Sequence, residues 1–176
     1  MSGLLLDVRR LREARDHVER SWDAAALDAD PAICRPRGRV ELAFDIHKDG
    51  QQFRLVGRVA GALGLACSRC LEEYELEVDE RFDVVCLPAS ENAGEGEREI
   101  EEDDLTTAYY RDQTIDLGQL VVEQFYLAVP MKPLCRDDCR GLCPECGINL
   151  NSGACSCAHR WVDPRLAGLR DVLKKD

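Results

Sequence analysis

Eight of the ten cysteines fall into four close pairs: Cys67/Cys70, Cys135/Cys139, Cys143/Cys146 and Cys155/Cys157. Thiolates are soft ligands, and four of them satisfy a zinc ion in a closed tetrahedral shell. Four pairs supply two such shells, with no position left open for a substrate. The chemistry these residues point to is therefore structural: two zinc ions bracing a scaffold. Three other uses of the thiols compete with it. A disulfide framework needs an oxidising compartment and is typical of short secreted chains. A thioredoxin-like pair at Cys67-Ser68-Arg69-Cys70 needs a helix N-terminus to lower the thiol pKa, whereas the residues that follow, Tyr74-Glu75-Leu76-Glu77-Val78-Asp79, alternate as a strand does. An iron–sulfur cluster also takes four thiolates, but the spacing matches neither common ferredoxin pattern.

Spacing suggests which thiols share a metal. Cys143-Pro144-Glu145-Cys146-Gly147 reads as a zinc knuckle, with Gly147 free to take the positive φ that lets a backbone N–H approach a thiolate. Cys155 and Cys157 follow after a Gly- and Asn-rich stretch long enough to fold back, with His159 as a spare ligand. That assigns Cys143, Cys146, Cys155 and Cys157 to one site. Cys67 and Cys70 then pair with Cys135 and Cys139. The loop this closes is long, but structural zinc binding, worth on the order of 10 kcal/mol, offsets its entropy. The alternative is a local site of Cys135, Cys139, Cys143 and Cys146, which leaves Cys67/Cys70 with Cys155/Cys157. Cys34 and Cys86 stand alone and read as ordinary buried cysteines.

The elements that must position these thiols predict an α+β fold. Its centre is an antiparallel, barrel-like sheet with a few helices and a C-terminal cysteine-rich zinc module. Leu4 to Val8 reads as a short strand. Arg9 to Trp22 has helix-like charge spacing, with Arg12/Asp16 and Asp16/Arg20 four apart. Val40 to Ile46 and Phe53 to Val59 alternate on either side of the turn Lys48-Asp49-Gly50 and predict a hairpin. Gly61 to Ala66 reads as a further strand that delivers Cys67, and Tyr74 to Leu87 as a long one. Pro88 to Asp104 is an acidic loop. Asp116 begins a helix over 116–128, with Leu117, Leu120, Val121, Phe125 and Ala128 on one face and Gln119 placed to reach back to the cap. Pro130 and Pro133 end it. A short C-terminal helix spans Arg165 to Lys175. The division expected is a β-rich domain over 1–134 and a cysteine module over 135–176.

The chain has 34 acidic against 23 basic residues, a net charge of −11. Nucleic-acid binding draws mainly on Lys and Arg releasing counterions from phosphate, so this balance suits a basic partner better than RNA. Aromatic residues make up only 6%, too few for a base-stacking platform. The N-terminus lacks a signal-peptide pattern, and no apolar run approaches the roughly 18 residues of a membrane span. A reduced, cytoplasmic setting is expected. The sequence contains no GxxxxGK[ST], GxGxxG or HExxH, and His17, His47 and His159 lie in different elements. An enzyme is not expected.

Several segments resemble the bacterial YceD family, long a domain of unknown function and also called large ribosomal RNA subunit accumulation proteins. They are Cys67-Ser68-Arg69-Cys70-Leu71-Glu72; Ile115 to Leu120; Leu127-Ala128-Val129-Pro130-Met131-Lys132-Pro133-Leu134-Cys135; and Cys139 to Gly147 with Asn149-Leu150-Asn151. The similarity runs from about Leu4 to Leu169, while Leu11 to Asp23 departs from the family pattern. The resemblance implies a role in 23S rRNA accumulation and large-subunit biogenesis. Its first cysteine pair maps onto Cys67 and Cys70 and its later one onto Cys135 and Cys139. Members that lack the last four cysteines imply a separable second site. The function expected is a non-catalytic factor that binds a large-subunit ribosomal protein or a pre-50S particle, with no membrane partner. The alternative is a direct rRNA-binding or rRNA-processing protein, which needs Arg54, Arg58, Arg69, Arg136, Arg140 and Arg160 to gather into a basic patch.

Overall fold

The computed structural model describes residues 4–11, 13–91 and 106–157. Among the described residues, two sheets, one α-helix and short 3-10 turns make up the fold. Strands β1 (Leu5–Asp7), β2 (Arg15–Asp23), β3 (Arg35–Asp49), β4 (Gln52–Ala66), β5 (Glu73–Pro88), β6 (Thr107–Tyr110) and β7 (Thr114–Asp116) precede helix α1 (Leu117–Ala128). The main sheet runs β2-β3-β4-β5-β6, and β1 pairs with β7 separately.

The expected hairpin forms. β3 and β4 pair from Asp49↔Gln52 outward, with Gly50 at φ +59°, the positive value a tight turn needs at its first position. Gly61 to Ala66 is not a separate strand: it continues β4, so the strand is long enough to carry Cys67 to the far end of the sheet. β2 through β5 form an antiparallel meander, and β6 then joins β5 in parallel. A parallel return needs a connection of about a dozen residues or more, which is what the acidic stretch after Pro88 provides. Most of that stretch, 92–105, lies outside the described residues, as do His159, Arg160 and the expected C-terminal helix.

The sheet and the N-terminal segment depart from expectation as well. The sheet is not closed into a barrel: β2 and β6 are its opposite edges and do not pair. The helix expected over Arg9 to Trp22 is a short 3-10 turn (Val8–Arg10) followed by strand β2, paired residue by residue with β3 from Arg15↔His47 to Asp23↔Arg39. Charges four apart also fit a solvated edge strand. The segment has too thin an apolar stripe to anchor a helix, since Val18 is the only residue of β2 that is buried. The open ladder of β3 therefore overrides a weak helical preference.

α1 lies on the inner face of the sheet. Asp116 caps it, its side chain accepting the Gln119 N–H at 3.0 Å. The Gln119 amide does not return to the cap as expected; it donates to Glu123 one turn on. Leu117, Leu120, Val121 and Phe125 are buried. The Phe125 ring sits over Gly61, where a Cβ would stand 3.1 Å from its Cζ and 3.3 Å from Val40 Cγ2. The main core includes Leu42, Phe44, Ile46, Leu55, Val59 and Leu63 beneath this helix, together with Cys34 and Cys86. Among the described residues no helix is long and apolar enough to cross a membrane.

Candidate metal centres

Cys67 leaves the end of β4 and Cys70 sits in the turn before β5. The Leu71 N–H donates to the Cys67 carbonyl at 2.9 Å, and Leu71 takes φ +62° so that the chain can reverse. This knuckle is strapped to the segment after α1, because the Ser68 N–H donates to the Pro133 carbonyl at 2.8 Å. Cys135 and Cys139 arrive on that segment. The four sulfurs of Cys67, Cys70, Cys135 and Cys139 all lie within 4.8 Å of one another. Cys67 and Cys139 sulfurs are 3.7 Å apart, as are those of Cys70 and Cys135. A tetrahedron with Zn–S bonds of about 2.3 Å has edges of about 3.8 Å, whereas a disulfide needs about 2.05 Å. The spacing fits four thiolates around one ion.

Cys143, Cys146, Cys155 and Cys157 form a second group with the same 4.8 Å limit. The Cys143 N–H donates to the Ile148 carbonyl and the Gly147 N–H to the Cys143 carbonyl, closing the knuckle, with Gly147 at φ +72°. The N–H that reaches the Cys143 sulfur belongs to Cys146, at 3.5 Å; Gly147 supplies the turn rather than the donor. Cys155 and Cys157 converge on the site from outside any strand. The grouping is thus the one that joins Cys67/Cys70 to Cys135/Cys139, not the local set of Cys135, Cys139, Cys143 and Cys146.

The electrostatics are those of groups that could take a cation. Burial opposes ionisation of Cys67, but the backbone N–H groups of Cys135, Cys70 and Arg69 outweigh it and draw its pKa down to about 6. The Cys146 and Glu145 N–H groups draw Cys143 down to about 6 as well. The Asn151 amide lowers Cys139. Their neighbours move the other way. Burial and the adjoining thiols push Cys135 up to about 12, and Cys146 with burial pushes Cys157 up to about 12. At Cys70 the Glu72 N–H favours the thiolate, yet burial and the Cys67 and Cys139 sulfurs raise its pKa; at Cys155 the Cys143 sulfur and burial likewise outweigh the Cys157 N–H. Cys67 and Cys139 in the first group and Cys143 in the second are thus drawn toward the thiolate, while Cys70, Cys135, Cys155 and Cys157 are held back by burial and by neighbouring sulfurs. A divalent cation at the centre removes that conflict.

Asn151, quoted in the sequence only as part of a motif, and Arg69, read there as a candidate for a basic patch, both have structural parts in the first site. Asn151 donates from Nδ2 to the Cys139 sulfur at 3.3 Å, while its Oδ1 accepts from the Arg140 N–H and the Arg136 guanidinium. Arg69 donates to the Cys139 carbonyl at 2.8 Å, and its own carbonyl accepts the Leu142 N–H. Gly141 lets these chains touch: a Cβ there would lie 3.0 Å from the Arg69 carbonyl oxygen. The two lone cysteines stay apart from both groups, and burial, with the charge of Glu123, pushes Cys86 up to about 12.

Of the arginines that the RNA-binding alternative needs, Arg160 lies outside the described residues and the others divide between β4 and the cysteine module. Arg54 and Arg58 stand on β4 and are held by Asp83 and Asp79. Arg69 and Arg136 are committed to oxygens of the cysteine module.

Residues 55–173 match the family described as large ribosomal RNA subunit accumulation protein YceD. An uncharacterized protein of Mycobacterium tuberculosis is 34% identical over 135 residues, 76% of this chain and 62% of its own length. A maize protein named large ribosomal RNA subunit accumulation protein YCED homolog 1, chloroplastic, is 26% identical over 82% of this chain and 57% of its own. A Bacillus subtilis uncharacterized protein is 29% identical over 67% of this chain and 64% of its own. The chain thus spans about 62% of the length of the first of these relatives. No solved structure matches it significantly. With the family's description covering most of the sequence and both knuckles inside the matched region, the chain belongs to the YceD family.

Proposed function

We propose that the protein is a non-catalytic factor supporting accumulation of 23S rRNA and assembly of the large ribosomal subunit, acting by binding a basic ribosomal protein or an early 50S particle. Two zinc ions, one in each thiol group, brace it; zinc supplies a fixed charge and four directed bonds. The observation that carries this reading is the pair of saturated four-sulfur groups, which leave no ligand position for substrate, in a chain whose family relatives are named for rRNA accumulation. The acidic balance favours a basic partner, and a reduced cytoplasmic setting keeps the thiols available.

The test has two arms. A tagged full chain should recover large-subunit ribosomal proteins or pre-50S particles, with recovery falling as salt rises. Deleting its gene should lower 23S rRNA relative to 16S. Normal 23S levels together with no ribosomal protein recovered would end the reading. Cleavage of 23S precursor by the pure, metal-loaded chain would replace it with the processing alternative.

A further inference from the structure

Strand β5 is covered along most of one side and only a part of the other. β4 pairs with it from Glu73 to Cys86, whereas β6 pairs only from Val85 to Pro88. Among the described residues nothing pairs with the remaining edge, Glu73 to Val84. At a rise of about 3.3 Å per residue this is an open ladder roughly 40 Å long. It lies end to end with β6 and reaches to the knuckle of the first thiol group. Proteins normally shorten, cover or charge such edges, because the unpaired N–H and C=O groups template another strand.

The side chains along this edge carry a distinct chemistry. Glu73, Glu75, Glu77, Asp79, Glu80 and Asp83 stand against the single base Arg81. Arginines of β3 and β4 pair with Glu73, Asp79 and Asp83. Glu75, Glu77 and Glu80 are exposed and have no ion pair among the described residues. On the core-facing side, Tyr74 and Leu76 are apolar and only half-buried, packed at the margin of the core. From Glu73 to Asp79 the edge is acidic on one face and apolar on the other, along the same run of unpaired backbone, and Glu80 then interrupts the apolar face.

We propose that the open edge of β5 from Glu73 to Val84 takes an extended, basic segment of a partner protein as an added strand. Lys or Arg side chains of that segment lie beside Glu75 and Glu77, and its alternate apolar side chains cover Tyr74 and Leu76. Main-chain hydrogen bonds supply affinity and the alternation supplies selectivity. This rests on the reading that the chain docks a basic protein, and names the surface. The competing occupants fit less well. The edge of β2 mixes Arg15 and Arg20 with Asp16, Glu19 and Asp23, so it selects no sign of charge. The chain's own segment 92–105 is itself acidic and meets like charge on β5. RNA meets the same repulsion.

The probe is a synthetic peptide of alternating lysine and valine, about ten residues long to match the edge, titrated into the isotope-labelled full chain. Backbone amides within Glu73–Val84 should exchange with solvent roughly tenfold more slowly when it is bound. A peptide of equal charge with its central valines replaced by proline, which cannot donate to a ladder, should lose that protection. The double substitution Glu75→Lys with Glu77→Lys, both exposed, should weaken binding about tenfold or more while the spectrum stays folded. Equal binding of the proline peptide, protection on β2 instead, or edge amides already protected in the free chain would overturn the proposal. So would tighter binding of a uridine oligonucleotide. If the peptide fails while the tagged chain still recovers ribosomal proteins, this surface is wrong and the functional reading stands. If the peptide binds but no ribosomal protein or particle is recovered, the reverse holds.

Discussion

The docking of α1 on the sheet can be tested by a thermodynamic cycle between Phe125 and Gly61. Phe125 is fully buried, and its ring lies where a side chain on Gly61 would go. Truncating Phe125 to Ala removes most of a large buried aromatic, which typically destabilises by about 3–5 kcal/mol. For a chain of this size each kcal/mol lowers Tm by about 2–4 °C, so Phe125→Ala should melt roughly 6–20 °C lower. Gly61→Ala places a Cβ 3.1 Å from Phe125 Cζ and 3.3 Å from Val40 Cγ2. Both neighbours are packed, so crowding should make this change destabilising by about 1 kcal/mol or more. In the Phe125→Ala background the closer contact is gone, and the space the ring leaves lets Val40 yield the few tenths of an ångström its own contact needs, so the crowding is relieved. There the gain from replacing a strand glycine, about 0.5–1 kcal/mol, should show instead. The effect of Gly61→Ala should thus change sign, a coupling of about 1–2 kcal/mol between residues in contact. Urea melts of the four proteins, metal-loaded and at equal concentration, measure it. Additive effects within about 0.3 kcal/mol would refute the contact.

Native mass spectrometry should find two zinc ions per chain; Cys70→Ser and Cys146→Ser should each reduce this to one. Because Cys146 is exposed whereas Cys67, Cys70 and Cys139 are buried, a chelator should empty the second site first, seen as stepwise loss of metal and two rates. His17 is flanked by Asp45 and Glu19, with Asp45 the stronger influence, and its pKa is raised above 6.5. The stabilisation from these contacts is fully present below the unfolded pKa of about 6.5 and is lost as pH rises through the higher native value. An NMR titration should place the His17 midpoint above that of a free imidazole, and Asp45→Asn should bring it down. Removing the Asp116 cap by Asp116→Ala should destabilise the chain by about 1 kcal/mol in urea melts.

The parts of this fold visible in the sequence are those written locally. The alternation of Val40 to Ile46 and Phe53 to Val59 requires a half-buried pair of strands, and Asp116 with its apolar stripe requires a capped helix. The grouping of the thiols also followed from local spacing, once Cys143 to Cys157 was read as a single turn-and-return. What spacing could not convey was long-range. Whether Arg15 to Asp23 coils or extends depends on the vacant edge of β3, more than ten residues away. Whether the meander closes depends on the hand and partner of β6, which the chain decides only after an acidic excursion with no periodicity. Asn151 as a donor to Cys139 was invisible because a polar residue in a Gly- and Asn-rich loop has many ordinary reasons to be there.

The first thiol group has a consequence for how the protein is made. Cys70 and its sulfur neighbour Cys135 lie 65 residues apart. At translation rates of about 5–20 residues per second, the earlier pair is synthesised roughly 3 to 13 s before its complement. For that interval a nascent chain carries two thiols in a preformed turn, able to hold an ion by half of its final coordination or to react with an oxidant. On the proposed zinc-braced reading, its maturation is therefore sensitive to the metal and redox conditions at the moment of synthesis, before the second pair of thiols exists to close the group.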